Sequence, residues 1–360
     1  MFTEKAKKHA EACRFCWMCR HLCPVQLATG REANTPRAKG LLVSMFNRGL
    51  AMDESAGEIM YECLLCNACT DDCVTGFEPL VFIREARMKA VAEGVAPAYV
   101  TGLIDTLLET GNIYGGKEVK ANLSGVPETG DLLVWLGATA RYFTPETANA
   151  LFSLLAKAGA PFAALRDEPP SGGALGDLTG YIEDVRVQAG KAAAAIRASG
   201  AKKLVVLDSY DAALFLHEYK DWGIDLPEIV TATAFVDELI KTGKLMPRRE
   251  ALPVTYHDGS RLARDLEEHQ PARDILAAMG SPVVEMFQNR NLARCCGSAL
   301  MGRMLPEIWE RIARGRWEDA KRTGAKVLVA ACPQSTEALC ATVPEGYRYQ
   351  DLFQMLDGNT

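Results

Sequence analysis

The stretch CRFCWMCRHLCP, Cys13 to Pro24, sets four thiols within about three helical turns, and CLLCNACTDDCV, Cys63 to Val74, does so again fifty residues later. Each set reads C-x2-C-x2-C-x3-C. Two-residue spacers let three sulfurs converge on one cubane while nearby backbone N–H groups point at its sulfides. The fourth Cys, one turn further on, points away and is expected to reach the other cluster. The spacing therefore predicts one [4Fe–4S] cluster on Cys13, Cys16, Cys19 and Cys73. It predicts a second on Cys63, Cys66, Cys69 and Cys23. Pro24 closes the first set, and Val74 stands in its place in the second. Zinc is the competing occupant, but a tetrahedral ion uses two Cys pairs and has no need of a third evenly spaced thiol.

Two adjacent cubanes with crossed ligands form an electron relay, and nothing in this part of the chain binds substrate. Basic residues surround the motifs: Arg31, Arg37 and Lys39 follow the first. They would raise a cluster's potential or meet an acidic partner, and the plainer expectation is a solvated face.

The whole chain has 360 residues, 48% of them hydrophobic, enough for two or three domains with real cores. A net charge of −6 argues against nucleic acid and anionic membrane surfaces as partners. No run of 18 apolar residues predicts a membrane span, and the start MFTEKAKKHAEAC lacks a signal-peptide core. The expected location is cytoplasmic, at a membrane only through partners. In that reducing compartment twelve cysteines are better metal ligands than disulfides.

Residues 1–115 read as helical. NTPRAKGLLVSMFNRGL offers Thr35 as a cap, Pro36 at the first helical position and Gly49 at the stop, and PLVFIREARMKAVAEG ends at Gly94. After a Gly-rich connector, the apolar runs LLVWLG, KLVVLD, PVTYHD and KVLVAA alternate with helices, which predicts an α/β arrangement with mainly parallel strands. This region repeats itself. SGAKKLVVLDSYDAAL aligns with TGAKVLVAACPQSTEAL, and PPSGG falls where ARCCG falls in the second copy. The units are placed at 130–245 and 250–360, and only the second keeps cysteines: Cys295, Cys296, Cys332 and Cys340.

Cys295-Cys296-Gly297 sits at a turn before a helix, and Cys332-Pro333 comes directly after a strand. Loops at the carboxyl ends of parallel strands are where such sheets carry sites, and a helix N-terminus would favour thiolate. Buried, inert thiols are the alternative. No dinucleotide or P-loop pattern is present, so the chain must receive electrons from another protein. His257 and Asp258 form a candidate proton pair or plain loop structure.

Two such Cys sets, an SPRG-like TPRA between them, and a duplicated α/β region with CCG and CP elements resemble one family. It is the iron–sulfur proteins with cysteine-rich CCG domains, among them heterodisulfide reductase and the iron–sulfur subunits of glycolate oxidase and of anaerobic glycerol-3-phosphate dehydrogenase. The resemblance implies five ligands per complete CCG unit: an early Cys, the CCG pair and a C-x2-C. Here Ala138, Pro170-Ser171 and Asp208 replace them in the first copy. In the second, Ser260 and Ser335 stand at the first and last positions, leaving Cys295, Cys296 and Cys332. A third Fe–S cluster on those three thiolates alone, or with Cys340 or His257 as a fourth ligand, is the open question.

The expected function is an electron-transfer subunit that takes single electrons from a partner flavoprotein dehydrogenase. A quinone, an electron-transferring flavoprotein or another iron–sulfur protein would accept them. The alternative is a catalytic subunit of a disulfide or other terminal reductase working at the third cluster. A third possibility is that the Cys-free copy serves only to dock partners.

Overall fold

The computed structural model describes residues 2–116, 118–249 and 252–360. The front of the chain is helical, as its patterning predicts. Thr35 accepts a hydrogen bond from the Ala38 N–H and Pro36 opens the helix Pro36–Asn47. Gly49 beyond it takes a φ of 98°, a region open to glycine at no steric cost. The helix Pro79–Ala92 ends as expected at Gly94, whose N–H returns to the Val91 carbonyl. These helices, with Glu4–Glu11, Glu54–Tyr61 and Ala98–Thr110, bury Val43, Met60, Phe77, Phe82 and Val100 in one core. Leu178 and Leu300 from the rear of the chain join that core, so the front packs directly on the rear.

The rear holds two parallel sheets. Strands β1 (Leu132–Trp135), β2 (Ala163–Ala164), β3 (Lys203–Val206) and β4 (Glu228–Thr231) stand in the order β2-β1-β3-β4. Strands β5 (Thr255–Tyr256), β6 (Val327–Ala330) and β7 (Arg348–Asp351) stand in the order β5-β6-β7. A parallel bridge from Val254 to Val283 occupies the place of β2. The second sheet thus repeats the first, with β5, β6 and β7 matching β1, β3 and β4. The four apolar runs of the sequence are β1, β3, β5 and β6. The outer strands β4 and β7 are only half buried, with an exposed charged residue at the start of each. They carry no apolar run for a sequence reading to find.

One core continues through both sheets, joining Val134 and Val205 of the first to Val327 and Val329 of the second and to Phe353. Because the sheets share it, the carboxyl ends of β1, β3, β5 and β6 open into a single space.

Arg87 ties front to rear. Fully buried, it donates to the carbonyls of Met60 (3.0 Å), Cys63 (2.7 Å) and Asp177 (2.6 Å). Hydrogen bonds to a charged group contribute about 1.5–3 kcal/mol, and a buried carbonyl left alone adds its desolvation cost. Replacing Arg87 by Met is therefore expected to lower unfolding stability by about 3 kcal/mol, read as a drop in the urea midpoint under anaerobic conditions. An unchanged midpoint would show that water replaces all three bonds.

Candidate metal centres and the rear cavity

The two front loops share one conformation. Phe15 and Trp17 have φ of 55° and 69°, and Leu65 and Asn67 at the matching positions have 50° and 64°. Non-glycine residues avoid this left-handed region at roughly 1–2 kcal/mol each, so strain repeated at equivalent places marks a function that the fold holds in place. The result is a curl that turns backbone donors inward. Phe15 N–H lies 3.4 Å from Cys13 Sγ, and Leu65 N–H lies 3.4 Å from Cys63 Sγ.

Each curl lines a small cavity. Cys13, Cys16, Cys19 and Cys73 line the first. Cys23, Cys63, Cys66 and Cys69 line the second. The fourth thiol of each motif thus stands with the other motif's three. Burial pushes the Cys19 thiol up to about 11 and Cys23 up to about 12. Cys69 is driven well above its ordinary value, first by burial and then by the charges on neighbouring thiols, including Cys19 of the other set. Thiolates crowded in this way need cationic metal to exist. Among the described residues no three His, Cys, Asp or Glu side chains close on a single ion; a cubane spreads its thiolates over separate irons.

Lys39 supplies a further sign of fit. The sequence expectation of a solvated face fails for it: Lys39 is 1% exposed and lines the second cavity. Its Nζ has no hydrogen-bond partner. Burial pulls the ammonium below the usual lysine range, and negative charge on Cys63 and Cys23 opposes this. Arg37 instead stacks on the Trp17 ring at 3.6 Å and pairs with Glu32 at 2.8 Å. Arg31 pairs with the buried Glu62 carboxylate at 2.8 Å. Four sulfurs per cavity, inward amides and an orphaned ammonium suit a bound cubane.

Behind the second set lies a cavity of about 320 Å³ at the carboxyl ends of the strands. Cys295, Cys296 and Cys332 are buried on one wall with Ser260 and Ser335, the two serines that take ligand positions in the resemblance. Ser260 Oγ is 3.6 Å from Cys295 Sγ, and Ser335 beside the Cys296 thiol opposes the burial that pushes it up to about 11. Ser209 Oγ donates to Cys332 Sγ at 3.1 Å. Cys332 does cap the helix Pro333–Cys340, yet burial and the nearby Asp208 push its thiol up to about 12. Desolvation outweighs the helix N-terminus here.

Of the two proposed fourth ligands, only His257 lines the cavity. Cys340 is exposed and outside the cavity wall. His257 Nδ1 accepts from Arg316 Nε at 3.1 Å, which leaves the proton on Nε2, buried and without a partner. Burial, then Arg316 and Arg264, hold the imidazole neutral, so it presents a donor. Asp258 grips Arg273 at 2.8 and 3.0 Å and accepts from Arg290 N–H, a structural role with no proton pairing to His257.

The opposite wall comes from the Cys-free copy, where Ala138, Ser171 and Asp208 line the cavity as the repeat requires. Two carboxylates the sequence reading missed join them. Asp211 accepts from Ser171 Oγ (2.6 Å) and Trp135 Nε1 (2.8 Å), and Glu168 accepts from the Leu136 and Gly137 N–H groups at 2.8 Å. Gln334 donates to both Asp208 oxygens at 3.2 Å. Burial pushes Asp208 and Glu168 up to about 7 and raises Asp211. Only Asp211's place, one turn after Asp208, gave a signal.

The second thiol set and the cavity touch. Cys66 packs against the apolar cluster that contains Cys295, and the two thiols act on each other, Cys66 being held below and Cys295 above the ordinary thiol value. Arg264 donates to the carbonyls of Cys66 (2.7 Å) and Ala293 (2.6 Å), clamping the two loops together.

Comparison with known proteins agrees with this layout. The family profile of a 4Fe-4S dicluster domain matches residues 9–77, and that of a cysteine-rich domain, CCG, matches 254–336. A dihydromethanophenazine:CoB–CoM heterodisulfide reductase polypeptide of Methanosarcina acetivorans is 27% identical over 90% of this chain and 86% of its own length. A probable membrane-anchored ferredoxin of Chromohalobacter salexigens is 25% identical over 96% of this chain, which spans only 59% of that protein. The probable iron-sulfur-binding oxidoreductase FadF of Bacillus subtilis is 28% identical over 80% of the chain and 44% of its own length. A Helicobacter pylori hypothetical protein of known structure shares the fold, with a TM-score of 0.58 at 13% identity over the whole chain and 74% of its own. No helix among the described residues is long and apolar enough to cross a membrane. The chain thus carries a 4Fe-4S dicluster domain, which accounts for two [4Fe–4S] clusters, ahead of a cysteine-rich CCG domain in its second α/β unit.

Proposed function

We propose that this chain is an iron–sulfur electron-transfer subunit that passes single electrons from a partner flavoprotein dehydrogenase to a downstream acceptor. Cys13, Cys16, Cys19 and Cys73 hold one [4Fe–4S] cluster, and Cys23, Cys63, Cys66 and Cys69 hold the other. Each bound cubane supplies a one-electron redox centre, and the chain's task is to fix, insulate and line up the two. The observation that carries this reading is the sequence of three spaces. A surface cavity with the exposed Cys16 is followed by the second thiol set, and that set touches the rear cavity at Cys66 and Cys295. Another relative, from Syntrophomonas wolfei, is named an EtfAB:quinone oxidoreductase, and this chain spans 47% of it. That name favours an electron-transferring flavoprotein and a quinone at the two ends.

The first cluster's loop is the entry face. Phe15, Trp17 and Met18 are exposed there among Arg14, Arg20 and Arg37. The first fifty residues carry nine Lys and Arg against three Glu and no Asp, inside a chain of net charge −6. An acidic partner surface suits this face.

A second reading has its own observation. The rear cavity offers three thiols, two serines and space for a small molecule, which favours terminal reduction at a third cluster on Cys295, Cys296 and Cys332. The relative named as a heterodisulfide reductase supports it.

Iron and acid-labile sulfide counts on anaerobically purified protein separate the readings. About eight of each per chain, with the coupled EPR spectrum of two cubanes, is expected for the relay. About twelve would transfer the proposal to the reductase, and zinc with little iron would remove both. Replacing Cys73 by Ser is expected to disturb the cluster of the first motif while the second motif's signal persists. The entry face predicts a salt effect: reduction by reduced flavodoxin, an acidic one-electron donor, should slow about tenfold between about 50 and 500 mM salt. Reduction by an uncharged photogenerated radical should change little.

A further inference from the structure

Three cations are buried around the second thiol set. Lys39 Nζ lines its cavity without a partner. Arg87 donates to the carbonyl of Cys63, and Arg264 to that of Cys66. Among the described residues none of the three forms an ion pair with a carboxylate; Glu62, which lines the same cavity, pairs with Arg31 through one oxygen and keeps the other without a partner. Three buried cations against that one shared carboxylate leave net positive charge around the second cavity, which suits a negative occupant. The first set is placed differently. Cys16 is exposed, Arg37 is already paired with Glu32, and Asp72 adds negative charge beside Cys73. Water screens what charge remains.

A cubane held by four thiolates is net negative and gains a further negative charge on reduction. Fixed positive charge in a dry site therefore stabilises its reduced form more than its oxidised form. We infer that Lys39, backed by Arg87 and Arg264, makes the Cys23, Cys63, Cys66 and Cys69 cluster the higher-potential of the two, so that electrons run inward from the exposed face to the Cys66–Cys295 contact. This rests on the two-cluster reading and gives it a direction. The transfer moves one electron from the first centre to the second; no bond is made or broken and no proton moves.

The test is an EPR-monitored redox titration of wild-type protein and of Lys39→Met and Lys39→Arg, each first assayed for iron and sulfide. With both clusters present, Lys39→Met is expected to lower one of the two midpoints and leave the other in place, while Lys39→Arg keeps both near wild type. Midpoints unmoved in Lys39→Met would overturn the inference and leave the relay intact. A wild-type iron count inconsistent with two cubanes would overturn the relay itself. Should Lys39→Met fail to fold or load, wild-type protein decides alone. At one electron per chain the EPR signal is recorded with and without a soluble dysprosium complex, which relaxes only centres near the surface. A signal insensitive to dysprosium puts the first electron on the buried cluster, as inferred; a sensitive one puts it on the exposed cluster and overturns the inference.

Discussion

The architecture depends on two short loops held in an unfavourable backbone region. Phe15, Trp17, Leu65 and Asn67 supply four of the six non-glycine positive φ values among the described residues. The gain is in where the neighbouring sulfurs and amides end up. Because Cys23 and Cys73 cross between the loops' cavities, neither loop can finish its thiol set without the other. The segment between them, with the helices Pro36–Asn47 and Glu54–Tyr61, is thereby fixed as a spacer whose length cannot vary freely.

A second constraint couples the front to the rear. Arg87 and Arg264 approach the second loop from opposite parts of the chain, and through carbonyls each bridges it to a segment of the rear. A guanidinium serves well here because its donors are fixed in a plane and its charge persists when buried. Carbonyl partners leave that charge uncancelled, so the same two residues that hold the domains together also bias the electrostatics of the site between them.

Cys spacing is a direct statement of geometry, and each of the two cavities is lined by one of the two groups of four thiols that the spacing suggests. The inner strands were legible for the same kind of reason: LLVW, KLVV and VLVA are buried on both faces and carry continuous apolar runs. The outer strands EIVT and RYQD were not, since only one end of each is fully buried. Lys39 misled because lysine is normally at the surface. Its burial comes from helix Pro36–Asn47 turning that position toward thiols from a distant part of the chain, which no local pattern reveals. Cys340, offered as a fourth ligand, is exposed at the end of its helix and away from the cavity wall. Glu168 escaped because its partners are backbone N–H groups after β1, about thirty residues away.

The rear cavity sets the two copies of the repeat side by side, and their hydrogen bonding separates them. In the Cys-free copy Ser171, Asp208, Asp211 and Glu168 all have partners within the protein. On that wall carboxyl and hydroxyl groups stand where the repeat has thiols, and each of these four is satisfied by backbone or side-chain partners. The second copy is not satisfied in this way. His257 Nε2–H has no acceptor, and three buried thiols sit well above their ordinary values with only weak serine donors beside them. Buried donors without acceptors are rare because each costs about 1–3 kcal/mol. Any ligand drawn into the cavity therefore gains most at the Cys295, Cys296 and Cys332 wall, on the side where the Cys66 loop brings in the second thiol set.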